Sequence, residues 1–345
     1  MFRFLRARGV MRGLLVLVLV AGNSMFASAQ DFYAGKTVSI VVSGAGAYEA
    51  YARSLSRVMP KYIPGKPAMI VQLMPGGGGL RAANVIAKIA PRDGSTIAAT
   101  HGSVLTSALL APEVTEFDAK TFGWIGNVTR DTYLAYVSST APHQKIEDAK
   151  TTELIVGGAT VGGAGIDLAI MVRDLLGYKL KIVSGYKGSS ETKLAMERGE
   201  LHGTMGNAVS SLRGANGLGV DKVRVLLQLG NKPHKDLPDV PLYSSITQTD
   251  QQRQMFEVIA VRNEIAKPYF TPPEVPPERL EILRRAFDAS IVDKDFVAEV
   301  SRQNMEIEDS LTGEQLLQVV NRVNNTPPDV VKQLVALFKN FKDKN

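Results

Sequence analysis

No cysteine occurs among the 345 residues. That excludes disulfide scaffolds, zinc ribbons, iron–sulfur clusters, thiol catalysis and a lipid-modified N-terminal cysteine. Histidine is scarce as well. His101, His143, His202 and His234 are scattered and share no ligand spacing, so the sequence predicts neither a metal nor a cofactor. Excess charge of one sign is also missing. Arg3, Arg6, Arg8 and Arg12 are the only charged side chains before residue 30, and the rest of the chain holds 36 basic against 34 acidic groups. A chain this evenly balanced carries no electrostatic footprint for nucleic acid. After residue 29 no apolar run approaches the ~20 residues that span a bilayer.

Enzyme signatures are absent too. Gly44-Ala45-Gly46-Ala47-Tyr48-Glu49 misses the dinucleotide fingerprint, because Glu49 stands at the third glycine and would repel a pyrophosphate. Neither a phosphate-loop motif, nor a Gly-x-Ser-x-Gly elbow, nor His-Glu-x-x-His occurs. No catalytic residue is assigned.

What is present begins with a leader. A basic stretch ends at Arg12, an apolar run follows from Leu14 to Ala21, and Ala27-Ser28-Ala29 is a small-x-small cleavage pattern. Residues 1–29 are therefore read as a signal peptide, with Gln30 as the mature N-terminus of an exported chain. Beyond it, strand-like and helix-like segments alternate, which argues for an α/β fold. Apolar residues make up 45% of the chain, enough for one or two full cores. Thr37–Val42, Ala68–Leu73, Ser95–Thr100, Leu154–Val156, Leu180–Val183, Val223–Leu229 and Phe256–Val261 read as strands. Three helices close the chain.

Four times a strand runs into a glycine loop and then a helix: at Ser43–Ala47, Gly76–Gly79, Gly157–Gly165 and Gly185–Gly188. In α/β sheets such loops lie at the carboxyl edge of the strands, where ligands bind. Each following helix offers unpaired N–H groups and the positive end of its dipole, a natural anion site. Taken singly, any one loop is equally well a tight turn. His101 ends a strand, and fits either a ligand contact or an ordinary loop position.

The order and spacing of several short stretches resemble the solute-binding receptors of tripartite tricarboxylate transporters. These include Ile63-Pro64-Gly65-x-Pro67, Val71-Gln72-x-Met74-Pro75-Gly76-x-Gly78-Gly79-Leu80-Arg81, Phe122-x-Trp124-Ile125-Gly126, Val183-Ser184-Gly185-Tyr186-x-Gly188 and Leu237-Pro238-Asp239-Val240-Pro241. The resemblance implies a two-lobed periplasmic-binding-protein fold of type 2, with two mainly parallel sheets flanked by helices and two interlobe crossovers. It implies a first lobe from 30–125 and 256–345 and a second lobe from 126–255, with crossovers near Ile125–Val128 and Met255–Ile259. It implies a monomer that traps a small organic acid between the lobes and passes it to permease subunits; the alternatives are a ligand sensor that docks on a signalling receptor, or an exported enzyme that uses the same cleft. Carried over by position, first-lobe contacts are Ser43, Gly44, Ala45, Gly46, Ala47, Tyr48, Glu49, Gly77, Gly78, His101, Gly102 and Ser103. Second-lobe contacts are Gly163, Ala164, Gly165, Asp167, Tyr186, Lys187, Gly188 and Asn207. Two positions depart from the family pattern: Glu49 stands where an Asp is usual, and Ile166 where a hydroxyl is common. If Glu49 faces the cleft, it selects a ligand with a cationic group.

Overall fold

A computed structural model describes residues 32–186, 189–209, 212, 220–230 and 232–343. The expected leader, Gln30, Lys187 and Gly188 lie outside these residues. No helix among the described residues is long and apolar enough to cross a membrane.

Two sheets organise the chain. The first holds β1 (Thr37–Val42), β2 (Ala68–Leu73), β3 (Thr96–Ala99), β4 (Phe122–Asn127), β10 (Pro268–Pro273) and β11 (Leu311–Thr312), in the order β11-β4-β10-β3-β1-β2. The second holds β5 (Tyr133–Ser138), β6 (Leu154–Gly157), β7 (Leu180–Val183), β8 (Gly203–Ala208) and β9 (Val223–Leu229), in the order β7-β6-β8-β5-β9. Both sheets are mixed. In the first, β2, β1 and β3 pair in parallel while β10 runs against β3 and β4. In the second, β7, β6 and β8 are parallel while β5 runs against β8 and β9. The cause is the chain path. β5 and β10 are the strands that arrive from the other lobe, so each starts at the interlobe edge and runs away from it. The remaining long strands run toward that edge, and their following loops gather there.

The local reasons are ordinary. Val38, Ile40 and Val42 of β1 pack on one face and Val41 on the other, as expected for a strand covered by helices on both sides. Helix α1 (Ala47–Val58) turns Tyr51, Ala52, Leu55 and Val58 inward, the one-sided stripe of an amphipathic helix. Helices α2 (Leu80–Lys88), α3 (Ser103–Leu110), α4 (Ala164–Ile170), α5 (Ser189–Glu197), α6 (Asp250–Glu264), α7 (Pro277–Ile291), α8 (Lys294–Arg302), α9 (Gly313–Asn324) and α10 (Pro328–Lys342) cover the sheets.

One segment differs from its sequence reading. Phe256–Val261 is not a strand but part of α6, and the return strand is β10. Met255, Phe256, Val258 and Ile259 join the core of the second lobe, while Val261 and Ile265 join the first. A helix wedged between two cores needs apolar residues on opposite sides, which hides its period. The second crossover accordingly lies at Ile265–Lys267, between α6 and β10, and the first at Val128–Thr132, between β4 and β5. The segment 256–345 also divides. Val330, Leu334, Phe338 and Phe341 of α10 bury a stripe against the second lobe's core, while α7, α8 and α9 pack on the first sheet.

Candidate functional site

Between the lobes lies a cleft of about 410 Å³. Its first-lobe wall is the loop after β1 and the start of α1: Ala45, Gly46, Ala47 and Tyr48. Its second-lobe wall combines Gly158, Ala159 and Gly163–Gly165, the start of α5 at Ser189 and Thr192, and the end of β8 at Gly206–Ala208. The crossovers form its floor, through Asp131, Tyr133 and Lys267.

Helix ends aim at this space. Gly46 precedes α1 and Gly163 precedes α4, and neither helix has a side-chain cap. Their first-turn N–H groups are thus left for a ligand, with the dipole favouring an anion. Gly206 brings the start of α4 close. A Cβ there would stand 2.7 Å from the carbonyl carbon of Ala164 and 2.9 Å from the nitrogen of Gly165, so only glycine lets the α4 backbone lie against β8.

The floor is charged. Lys267 is 6% exposed, with its Nζ 3.8 Å from Asp131 Oδ2 and 4.3 Å from the centre of the Tyr48 ring. Asn127 accepts the Lys267 backbone N–H at 2.8 Å, and the carbonyl of Asn263 accepts the Asp131 N–H at 3.0 Å. Each crossover is therefore tied to the other by backbone as well as by charge. Burial raises the phenols of Tyr48 and Tyr133 above their usual range, and the Asp131 carboxylate adds to both shifts. Both tyrosines stay neutral at physiological pH and can donate an O–H.

Of the residues predicted from sequence, Ala45, Gly46, Ala47, Tyr48, Gly163, Ala164, Gly165 and Asn207 line the cleft. Asn207 also donates from Nδ2 to the Tyr136 hydroxyl at 3.0 Å. The other described ones stand elsewhere. Ser43 is buried, its Oγ 2.9 Å from Nδ1 of His101. His101 stacks behind Tyr48, ring centres 4.0 Å apart. Burial, and then the positive charge of Lys267, push its imidazole down to about 4, so it is neutral at pH 7 and fixes the Tyr48 wall from behind. Gly44 presses on that ring; a Cβ there would be 2.9 Å from His101 Cε1. Gly77 and Gly78 form a turn braced by Ser103, whose Oγ donates to the Gly78 carbonyl at 2.9 Å. Gly102 lies against the carbonyls of Arg262 and Ile265. These residues support the wall without lining it.

Glu49 does not face the cleft. It accepts two hydrogen bonds from Arg53, at 2.8 and 2.6 Å, on the outer face of α1. Asp167 is wholly buried and accepts from Gly162 N–H at 2.8 Å and Arg262 Nη1 at 2.6 Å. It is an anchor for the glycine loop, not a cleft group. Tyr186 packs beside Gly157 and Leu201 in a small apolar cluster. Sequence reasoning missed Asp131, Tyr133, Lys267, Ser189 and Thr192. Only Ser189 and Thr192 carried a signal, since they follow the fourth glycine loop at a predicted helix start.

This architecture is that of the two-lobed periplasmic binding proteins. Within that class, the chain is similar to a TctC solute-binding protein from Polaromonas, at 19% identity and a TM-score of 0.63 over 89% of this chain and 99% of that one. It is similar to the periplasmic binding protein BugD at 19% identity and a TM-score of 0.63, over 89% and 98%. It is also similar to MatC from Rhodopseudomonas palustris with bound malate, at 17% identity and a TM-score of 0.62, over 88% and 99%. An R. palustris protein with adipate matches at 18% identity and a TM-score of 0.64, over 87% and 97%. No family model and no curated protein matches the sequence.

Proposed function

We propose that the protein is a periplasmic solute receptor of the tripartite tricarboxylate type. It captures a small carboxylate-bearing metabolite between its lobes and delivers it to membrane permease subunits. The observation that carries this reading is the cleft itself: two uncapped helix starts, from opposite lobes, face a buried lysine across about 410 Å³. One carboxylate meets the N–H groups after Gly46, and a second group meets Gly163–Gly165, Ser189, Thr192 and Asn207. Lys267 supplies the fixed positive charge, and charge-assisted bonds of this kind are the strong ones. The malate and adipate held by proteins of the same fold support the ligand class. The leader at residues 1–29 supports export. We infer no turnover, because the described cleft residues offer binding groups without a base-activated nucleophile among them.

Closure about the two crossovers is the transport-competent step. A ligand shifts the lobes only by binding the closed form better than the open one. Asp131 favours a second reading of the ligand. It is an acidic group on the cleft floor, so an amino acid, with its ammonium at Asp131, is the alternative to a plain dicarboxylate.

A thermal-shift screen tests both. Dicarboxylates, tricarboxylates, aromatic acids, amino acids and neutral compounds are compared. A ligand at 100 times its Kd adds about 2.7 kcal/mol of stability. A shift confined to acids without an amino group supports the dicarboxylate, and one confined to amino acids supports the alternative. A shift with neutral compounds alone overturns the anion-receptor reading.

A further inference from the structure

Beside the first crossover, the two lobes bring together three residues that lie far apart in sequence. His234 follows β9 in the second lobe. Glu306 and Glu308 follow α8 in the first. One side-chain ligand atom from each lies within 4.8 Å of the other two, and all three line a cavity of about 40 Å³. That is more than the roughly 10–15 Å³ a single water needs.

Both sides of this cluster are held in place. Glu306 and Glu308 are two apart in the loop after α8, and both carboxylates reach the cluster. The Glu306 carbonyl accepts from the Tyr51 hydroxyl, the Glu308 N–H donates to Thr129 Oγ1 at 3.0 Å, and the Glu308 carbonyl accepts from Arg130 N–H at 2.8 Å. His234 is 6% exposed. Its backbone N–H donates to Gln228 Oε1 at 2.7 Å, and Gln228 in turn holds the Leu237 and Val240 carbonyls. One ring nitrogen, Nδ1, accepts the Asp236 N–H at 3.2 Å and stands 3.9 Å from the Asp236 carboxylate.

We propose that His234, Glu306 and Glu308 bind a divalent transition cation of the zinc class, bridging the lobes. One imidazole and two carboxylates suit zinc, whereas an all-oxygen set would suit calcium or magnesium. Bonds of about 2.0–2.2 Å put tetrahedral ligands about 3.4 Å apart, so modest side-chain rotation from the present spacing closes the site around an ion. Ligation through Nε2 moves the ring proton to Nδ1; Nδ1–H then gives up its contact with the Asp236 N–H and donates to the Asp236 carboxylate, now 3.9 Å away, the usual support of a metal-bound histidine. Lys235, 3.9 Å from Glu306 Oε1 and half-exposed, is a cation that an ion must displace. Asp131 borders both this cavity and the ligand cleft, so an ion here sets the lobe angle next to the cleft floor.

The test is titration of the untagged full chain with Zn²⁺, and with Co²⁺ for its visible tetrahedral absorption. One ion per chain is expected, with no competition from Ca²⁺. Outer-shell changes alone cost about 10–100-fold in metal affinity, so His234→Ala, a direct ligand, should cost at least 100-fold. Glu308→Gln keeps the side-chain shape and should abolish the Co²⁺ bands and the thermal stabilisation by Zn²⁺. His202→Ala serves as the control and should bind as the parent does. Absence of a saturable site, equal competition by Ca²⁺, or unchanged binding in folded Glu308→Gln overturns the proposal. If His234→Ala does not fold, Glu308→Gln decides.

Discussion

Two buried ion pairs sit five residues apart on the segment that returns to the first lobe, and they have different jobs. Arg262 and Asp167 meet at 2.6 Å with side chains 4% and 1% exposed. Arg262 Nε also donates to Thr106 of α3 at 2.7 Å, so one guanidinium joins the first lobe to the glycine loop of the second. Lys267 and Asp131 stand 3.8 Å apart and border the cleft. The first pair is closed, and each partner makes further hydrogen bonds: Arg262 to Thr106 and the Gly162 carbonyl, Asp167 from the Gly162 N–H. The second is longer, and its ammonium lies over an aromatic face at the wall of the cleft. Under the proposed function, chemically similar pairs thus divide into a fastener and a binding group, and the difference is how much of the hydrogen-bonding capacity is used up inside the protein.

Breaking the closed pair should have the largest effect. Asp167→Ala leaves the Arg262 guanidinium buried without its carboxylate, which costs about 3–5 kcal/mol. Denaturant unfolding measures it. A loss below about 1 kcal/mol would mean that Thr106 and the Gly162 carbonyl suffice, and that the pair is not the fastener.

Next comes pH. His101 is held neutral, with its folded value down at about 4, against an ordinary 6.5. The unfolded chain therefore binds the extra proton first as pH falls, and stability declines between about 6.5 and 4. At the acid end this single group accounts for about 3 kcal/mol at most. Above 6.5 it contributes no slope. His101→Gln should flatten the stability profile in that window. A parent profile without acid loss there would show that Lys267 and burial do not hold the ring neutral.

Lys267→Met tests the longer pair from the ligand's side. A hydrogen bond to a charged group contributes about 1.5–3 kcal/mol. Carboxylate affinity should accordingly fall by about 10–150-fold, read by calorimetry with whichever acid the screen identifies. Folding stability should change less than in Asp167→Ala, since methionine fills most of the lysine's volume. The reverse order, large destabilisation with intact binding, would make Lys267–Asp131 the structural pair.

The sequence disclosed the parts whose signal is local. β1, β2, β7 and β9 stand where their β-branched and apolar runs, bounded by turn residues, place them. The starts of α1 and α4 follow from glycine loops. α6 was misread because its apolar residues serve two cores. β8, Gly203–Ala208, gave no pattern at all, since close backbone approach selects small residues there. Asp131 and Lys267 look like solvated loop charges among Asn, Thr and Glu neighbours. Only the two crossings of the chain bring them together, and no periodicity encodes that meeting. His234 and Glu308 were invisible for the same reason.

Glu49 marks the opposite end of the comparison. It too is a carboxylate near the cleft, and it is paired, but with exposed Arg53 one turn along the helix. Such an i, i+4 pair is screened by solvent and contributes about 0.3–0.5 kcal/mol. Glu49→Ala should leave stability nearly unchanged and leave every ligand's affinity within about twofold, because the side chain points away from the space that Ala47 and Tyr48 line. Asp131→Asn should do what position along the sequence assigned to Glu49: weaken ligands that carry an ammonium while sparing plain carboxylates. Parallel titrations of one amino acid and one dicarboxylate against both variants separate the two. Loss of amino-acid binding in Glu49→Ala with none in Asp131→Asn would move the acidic specificity group back to the helix start and leave the crossover pair a purely structural contact.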